Sequence, residues 1–265
     1  MTRLAAVAVL VLTASAAPAQ RREIDPEVVA AWVRSGAKVE WYGRTKDGGW
    51  QITPKDPDDP RALAALVWPT NLPPDNLAKL PAPNVPFALF LSSAPGLQQC
   101  TDDDMKHLRR FKRLRHLAIS GTLVTDVGLH ELVALEDGLE SLALGSLDIS
   151  DDGLKELGKL PCLRYLVMGN SPRITDAGLR YLGRLHELRT LGLTNTKVTD
   201  AGLKHLADLG HLEELYLGGN QVTDAGLPQL YRLKNLRVVV LVGTQVTDQG
   251  VAALVKERPG VKVMR

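Results

Sequence analysis

The sequence predicts an α/β repeat solenoid with an N-terminal α+β cap, and three observations carry that prediction. First, a Thr-Asp or Ser-Asp pair recurs at Thr101-Asp102, Thr125-Asp126, Ser150-Asp151, Thr175-Asp176, Thr199-Asp200, Thr223-Asp224 and Thr247-Asp248, in steps of 24 or 25 residues. A fixed period of that size marks units that bury their apolar faces by stacking on one another. Second, a Leu-x-x-Leu-x-Leu phrase stands ahead of the pairs, and its alternation suits a short strand. Third, leucines three apart follow the pairs, as Leu203, Leu206 and Leu209 do after Thr199-Asp200, and that spacing fills one face of a short helix.

The elements follow in order. Residues 1–19 differ in composition from the rest: Arg3 is a positive start, Leu4 to Leu12 is unbroken apolar chain, and Ala17-Pro18-Ala19 is a small-residue cleavage pattern. That reads as a secretory signal peptide cut after Ala19, which predicts a chain exported to the periplasm or beyond. Residues 20–74 form the expected cap. Pro26 to Arg34 suits a helix that starts at Asp25 and stops before Gly36. Lys38–Tyr42 and Trp50–Thr53 flank Asp47-Gly48-Gly49, a hairpin signal, and Pro54 to Pro60 is a polar loop. Trp32, Trp41, Trp50 and Trp68 are all the tryptophans of the chain, and they are read as bulk for this cap. The repeat domain is expected over residues 75–265, with Phe87–Leu91 as its first strand and Val261-Lys262-Val263 as its last.

Within a unit, the Thr-Asp pair joins strand to helix. A side-chain oxygen there can accept from an exposed N–H of the first helical turn, and the Asp charge favours the positive end of the helix dipole. The strand phrase recurs at Leu114-Leu117-Ile119, Leu139-Leu142-Leu144, Leu163-Leu166-Met168, Leu188-Leu191-Leu193, Leu212-Leu215-Leu217 and Leu236-Val239-Leu241. This resembles the leucine-rich-repeat family, in a variant reading Val/Ile-Thr-Asp-x-Gly-Leu at the helix start. That variant is similar to the repeats of F-box-associated adaptors and of many exported bacterial proteins. The resemblance covers about residues 75–265. It implies a right-handed horseshoe or arc, with parallel strands on the concave face and helices on the convex one. It also implies an Asn ladder between rungs, at positions held here by Thr122, Ser171, Thr196, Asn220 and Thr244, with Leu147 departing from it. The family does not imply a ligand.

Several function classes find no support. With 32 basic and 30 acidic residues the net charge is +2, which is no footprint for nucleic acid. The basic run Lys106–Arg115 lies beside Asp102, Asp103 and Asp104 and reads as a solvated face. None of the six histidines pairs with Cys or His at metal-ligand spacing, and no phosphate loop or nucleophile turn occurs. One Asp per rung undersupplies a calcium site. The two cysteines lie too far apart in the array for a disulfide, and Cys100 reads as a buried thiol. No cofactor, metal or nucleic acid is therefore expected, nor a transmembrane segment in the mature chain.

What remains is the outward side of the strands. One column reads His116, Ser141, Tyr165, Thr190, Glu214, Val238, and the next Ala118, Ala143, Val167, Gly192, Tyr216, Val240. Because aromatic side chains favour interface hot spots, the candidate partner-binding residues are His116, Tyr165, Thr190, Glu214 and Tyr216, with Arg164 and Arg189 beside them. The expected function is a non-catalytic interaction module that takes a protein, peptide or glycan on its concave face. The alternatives are a structural spacer or envelope component, and adaptor-like substrate recognition.

Overall fold

The computed structural model describes residues 24–44, 50–53, 63–68, 76–92 and 99–265. The expected signal peptide, the hairpin turn expected at Asp47-Gly48-Gly49 and the loop expected over Pro54 to Pro60 lie outside the described residues. Among the described residues eleven strands form one sheet: β1 (Lys38–Arg44), β2 (Trp50–Thr53), β3 (Leu63–Trp68), β4 (Phe87–Ser92), β5 (Leu114–Ser120), β6 (Ser141–Gly145), β7 (Tyr165–Gly169), β8 (Thr190–Thr194), β9 (Glu214–Tyr216), β10 (Val238–Val240) and β11 (Lys262–Met264). From β3 to β11 each strand pairs in parallel with the next, while β1 lies antiparallel to both β2 and β3. Short helices return the chain between parallel strands: α2 (Asn76–Lys79), α3 (Asp102–Met105), α4 (Asp126–His130), α5 (Asp151–Leu157), α6 (Asp176–Leu182), α7 (Asp200–Leu203) and α8 (Asp248–Glu257), several extended by a 3-10 turn.

The strand and helix leucines meet in one continuous core. Leu142, Leu144, Leu166, Met168, Leu191, Leu193, Leu215 and Leu217 point inward from the strands, and Leu154, Leu157, Leu179, Leu182, Leu203 and Leu206 point inward from the helices, all buried. Each such side chain contributes about 1.5–3 kcal/mol relative to an exposed one. Isolated rungs would lose most of that burial, so stacking and folding are one event.

The Thr-Asp pair does more than start a helix. In α4 to α7 the Thr or Ser hydroxyl accepts from an N–H of its own first turn, as Thr199 does from Ala201 at 3.3 Å. The same hydroxyl donates to the Asp of the preceding rung. Thr199 gives Asp176 its hydroxyl at 2.6 Å and its N–H at 2.8 Å. The clasp repeats at Thr125 with Asp102, Ser150 with Asp126, Thr175 with Asp151, Thr223 with Asp200 and Thr247 with Asp224. Hydrogen bonds to a carboxylate are the strong kind. The Asp thus ties two rungs together, beyond its expected place at a helix dipole. This clasp also explains the glycine of Asp-x-Gly-Leu. A Cβ at Gly153, Gly178, Gly202, Gly226 or Gly250 would lie 2.0–2.5 Å from the preceding rung's Asp Oδ1.

At the N-terminal end of the array, α1 (Pro26–Arg34) packs onto the core. Asp25 caps it by accepting from the Glu27 N–H at 2.8 Å, and Gly36, at φ +96°, turns the chain into β1. Helix and cap residue coincide with the sequence expectation. Trp32 is fully buried, with its ring 6.4 Å from Phe87 and 5.6 Å from Phe111, and its indole N–H donates to Pro81 O at 2.8 Å. Phe87–Leu91 is a strand as expected, but not the first of the array. β3 precedes it in parallel register, with Leu66 opposite Leu89. Its run Leu63-Ala64-Ala65-Leu66-Val67-Trp68 keeps the first two leucines of the phrase but has Trp in the third place, and no Thr-Asp pair follows it.

Of the expected Asn ladder, Asn220 performs the full role. Its amide donates to Leu193 O and Leu217 O, and its Oδ1 accepts from Thr196 Oγ1 and from the Val198 N–H. Thr244 donates its hydroxyl to Leu241 O three residues earlier, and the single hydroxyl proton of Thr196 lies between Asn220 Oδ1 at 2.7 Å and Leu193 O at 3.0 Å. Ser171 reaches Leu147 O at 3.4 Å, where Leu147 itself offers only a buried side chain.

Candidate partner-binding face

The register places both outward columns as the sequence predicts. His116, Ser141, Tyr165, Thr190, Glu214 and Val238 lie opposite one another on successive strands, and so do Ala118, Ala143, Val167, Gly192, Tyr216 and Val240. β11 continues the columns with Lys262 and Met264.

The two ends of this face differ. At the N-terminal end Tyr42, on β1, lies over the sheet with its ring 5.1 Å from Phe90 and 5.0 Å from His116, and it hydrogen-bonds Ser141. His116 and Ser141 are buried as a result, at 7% and 8% exposure. This corrects the reading of His116: it is covered by Tyr42 and does not belong to the open surface. Burial, with a smaller push from Arg115, lowers the imidazole to about 4, so it is neutral at pH 7. Burial likewise raises the Tyr42 phenol.

From β7 onward the face is open. Tyr165, Thr190, Glu214, Tyr216, Val238 and Val240 are all half-buried, and Val167 is 45% exposed. Glu214 Oε2 accepts from the Tyr216 hydroxyl at 3.0 Å and from the Thr190 hydroxyl at 3.3 Å. Those bonds join three candidate residues into one cluster. Burial and then the Glu214 charge raise the Tyr216 phenol, so it stays a neutral donor. The second column, Val167, Gly192, Tyr216, Val240 and Met264, carries no charged side chain; Gly192 is buried in it, and Tyr216 turns its hydroxyl to Glu214. Arg164 and Arg189 stand one residue before Tyr165 and Thr190, at the strand ends. They pair with Glu140 at 3.5 Å and Glu213 at 3.1 Å.

One stretch of the array, residues 211–227, matches a family model described as "Leucine Rich repeat". The array is a leucine-rich-repeat solenoid. Among solved structures it is similar to an internalin (inlF) from Listeria monocytogenes, at 22% identity and a TM-score of 0.44, covering 66% of this chain and 60% of that one. It is also similar to an internalin C2 (inlC2) from the same organism, at 22% identity and a TM-score of 0.46, covering 69% of this chain and 80% of that one. The chain thus spans about 60% of the length of the first of these. No curated protein matches it in sequence.

Elsewhere on the leucine-rich-repeat solenoid, the charged groups serve the fold. In the basic run Lys106 pairs with Asp103 of its own rung, while Arg109 reaches Glu131, Lys112 donates to Ala134 O and Arg110 to Ala78 O on neighbouring rungs. The Asp ladder is engaged by the Thr clasps. Burial and the neighbouring Asp104 and Asp102 push the Cys100 thiol up to about 12, so it is no nucleophile. Among the described residues, no group of three or more His, Cys, Asp or Glu side chains is placed to hold a metal, and no helix is long and apolar enough to cross a membrane.

Proposed function

We propose that this leucine-rich-repeat chain is an exported, non-catalytic interaction module whose protein partner docks on the concave sheet face between Tyr165 and Met264. The observation that carries this reading is the open half of the sheet. There Val167, Tyr216, Val240 and Met264 present apolar area, and the Tyr216 hydroxyl joins it to a hydrogen-bonded polar cluster on Glu214. Aromatic anchors with a polar tip, next to apolar area that water can leave, are what hot spots are made of. Export is supported by the composition of residues 1–19, with 20–74 read as the cap and 75–265 as the repeat domain. In the test, native protein is used to capture partners from periplasm or medium, in parallel with Tyr165→Ala/Tyr216→Ala and with Tyr181→Ala on helix α6. Partners lost only with the first variant support the reading. Partners retained by it place recognition elsewhere.

A further inference from the structure

The Thr-Asp clasp needs a rung on either side, and it runs out at both ends of the array. At the first pair, Thr101-Asp102, the threonine lacks an earlier carboxylate: one period back from Asp102 stands Ala78. At the last pair, Thr247-Asp248, the carboxylate meets no later threonine among the described residues. Both groups nevertheless have partners, and each partner is a side chain that the repeated phrase does not contain.

At the first end the partner is Asp104. Its Oδ2 accepts from the Thr101 N–H at 2.8 Å and from the Thr101 hydroxyl at 3.0 Å. Later Thr and Ser residues give those same two donors to the Asp of the preceding rung. The backbone bond alone would make a capping box; the hydroxyl bond completes the likeness to a clasp. Asp104 stands three residues after Thr101, where later rungs carry Gly128, Gly153, Gly178, Gly202, Gly226 and Gly250. In those rungs the preceding Asp occupies the space, its Oδ1 lying 2.0–2.5 Å from where a Cβ would be. With no preceding Asp, the first rung has room for a side chain there, and that side chain supplies the missing carboxylate.

At the last end the partner is Arg265. One rung earlier, Val222 O accepts from the Gln245 N–H at 2.9 Å, and Asp224 Oδ1 accepts from the Thr247 N–H at 2.8 Å. One period on, the equivalent acceptors are Val246 O and Asp248 Oδ1. Arg265 donates to both, from Nη1 to Val246 O at 2.8 Å and from Nη2 to Asp248 Oδ1 at 2.8 Å. Two donors of one planar guanidinium thus take the places of two backbone N–H groups of a further rung.

We infer that Asp104 and Arg265 are the terminators of the clasp ladder, each replacing a neighbouring rung and closing its end against another. The inference is independent of the open-face reading. It bears on the spacer alternative, because end-to-end contacts that do not close generate filaments, and a closed ladder leaves a second copy no clasp to join. The experiment is amide hydrogen exchange by NMR on native protein, Asp104→Ala, Asp103→Ala, Arg265→Gln and Lys262→Gln. Asp103 and Lys262 are controls that remove the same charge from the same helical turn or from the adjoining strand. Helix propensity alone predicts that Ala at position 104 tightens α3. Termination predicts instead that the Thr101 amide exchanges about tenfold faster or more in Asp104→Ala, through the lost bonds to a charged group. In Arg265→Gln the Leu241 amide, which donates to Met264 O at 2.7 Å, should accelerate by a similar factor as β11 loosens. Both controls should match native protein at these amides. The Thr190 amide, bonded to Arg164 O in the middle of the array, should stay protected in all five. Unchanged exchange at either end in its own variant overturns that terminator, and equal acceleration in its control overturns it in favour of net charge. Loss of protection at Thr190 overturns the assignment to the ends. Native protein whose mass by light scattering keeps rising with concentration overturns the closure.

Discussion

At the residue scale, the most repeated letters of the sequence turn out to act between units. Asp176 accepts two hydrogen bonds from Thr199, and Gly202 owes its identity to the 2.3 Å approach that a Cβ would make to Asp176 Oδ1. Gly202→Ala should therefore destabilise by about 1–3 kcal/mol, as overpacking does. Asp176→Ala should cost about 2–4 kcal/mol through two lost bonds to a charge. The double variant should cost clearly less than the sum, because the clash partner of the new methyl is gone. Denaturant titration of the four proteins checks this, and strict additivity would refute the clasp. His116 supplies a second residue-level prediction. Its folded value of about 4 lies below the ordinary 6.5, so between those values the unfolded chain holds the extra proton. Stability should fall as pH drops from about 6.5 to about 4, by up to about 3 kcal/mol, and level off below. NMR titration should show the low value in native protein and a rise toward 6.5 in Tyr42→Ala, which uncovers the ring. An unchanged value would mean that Tyr42 is not what excludes water.

At the scale of elements, local chemistry was legible and long-range covering was not. Helix α1 follows from Asp25, Pro26 and Gly36, all inside one short stretch. The hairpin strands and the last strand are equally local patterns. The parallel strand β3 was hidden because Leu63-x-x-Leu66-x-Trp68 ends the phrase on Trp and no Thr-Asp pair follows it, and its identity comes from pairing with β4. Tyr42 was hidden for a similar reason: nothing in its neighbourhood announces contact with a ring more than seventy residues away. Of the predicted face, the register held for every member of both columns, while His116 and Ser141 are buried at the end where this remote tyrosine lies and Gly192 is buried beside Val167. Trp32 joins the same end of the molecule to the array through Phe87 and Phe111. Trp32→Ala should cost about 3–5 kcal/mol. Hydrogen exchange should show the loss of protection concentrated in β4 and β5, with β8 to β10 retaining theirs. Uniform loss along the array would show that the end rung is not a local unit.

At the scale of the whole molecule, contacts run from rung to rung, so stability should be a sum of neighbour terms. All four tryptophans lie at or before Trp68, which makes their fluorescence a reporter of one end only, while far-ultraviolet circular dichroism reports the entire array. The two urea transitions should coincide in the native protein and separate in Leu191→Ala, whose cavity of about 2–5 kcal/mol weakens the middle. Transitions that still coincide would indicate coupling beyond nearest neighbours. The same one-dimensional build leaves one side of the sheet uncovered from β7 onward, and the functional account depends on that open half. The most direct test is calorimetric affinity for a captured partner, compared across native protein, Tyr216→Ala and Tyr181→Ala. A hot spot on the open face predicts a loss of about 2 kcal/mol or more for Tyr216→Ala and none for Tyr181→Ala. Equal affinities for all three, or a loss confined to Tyr181→Ala, would contradict it.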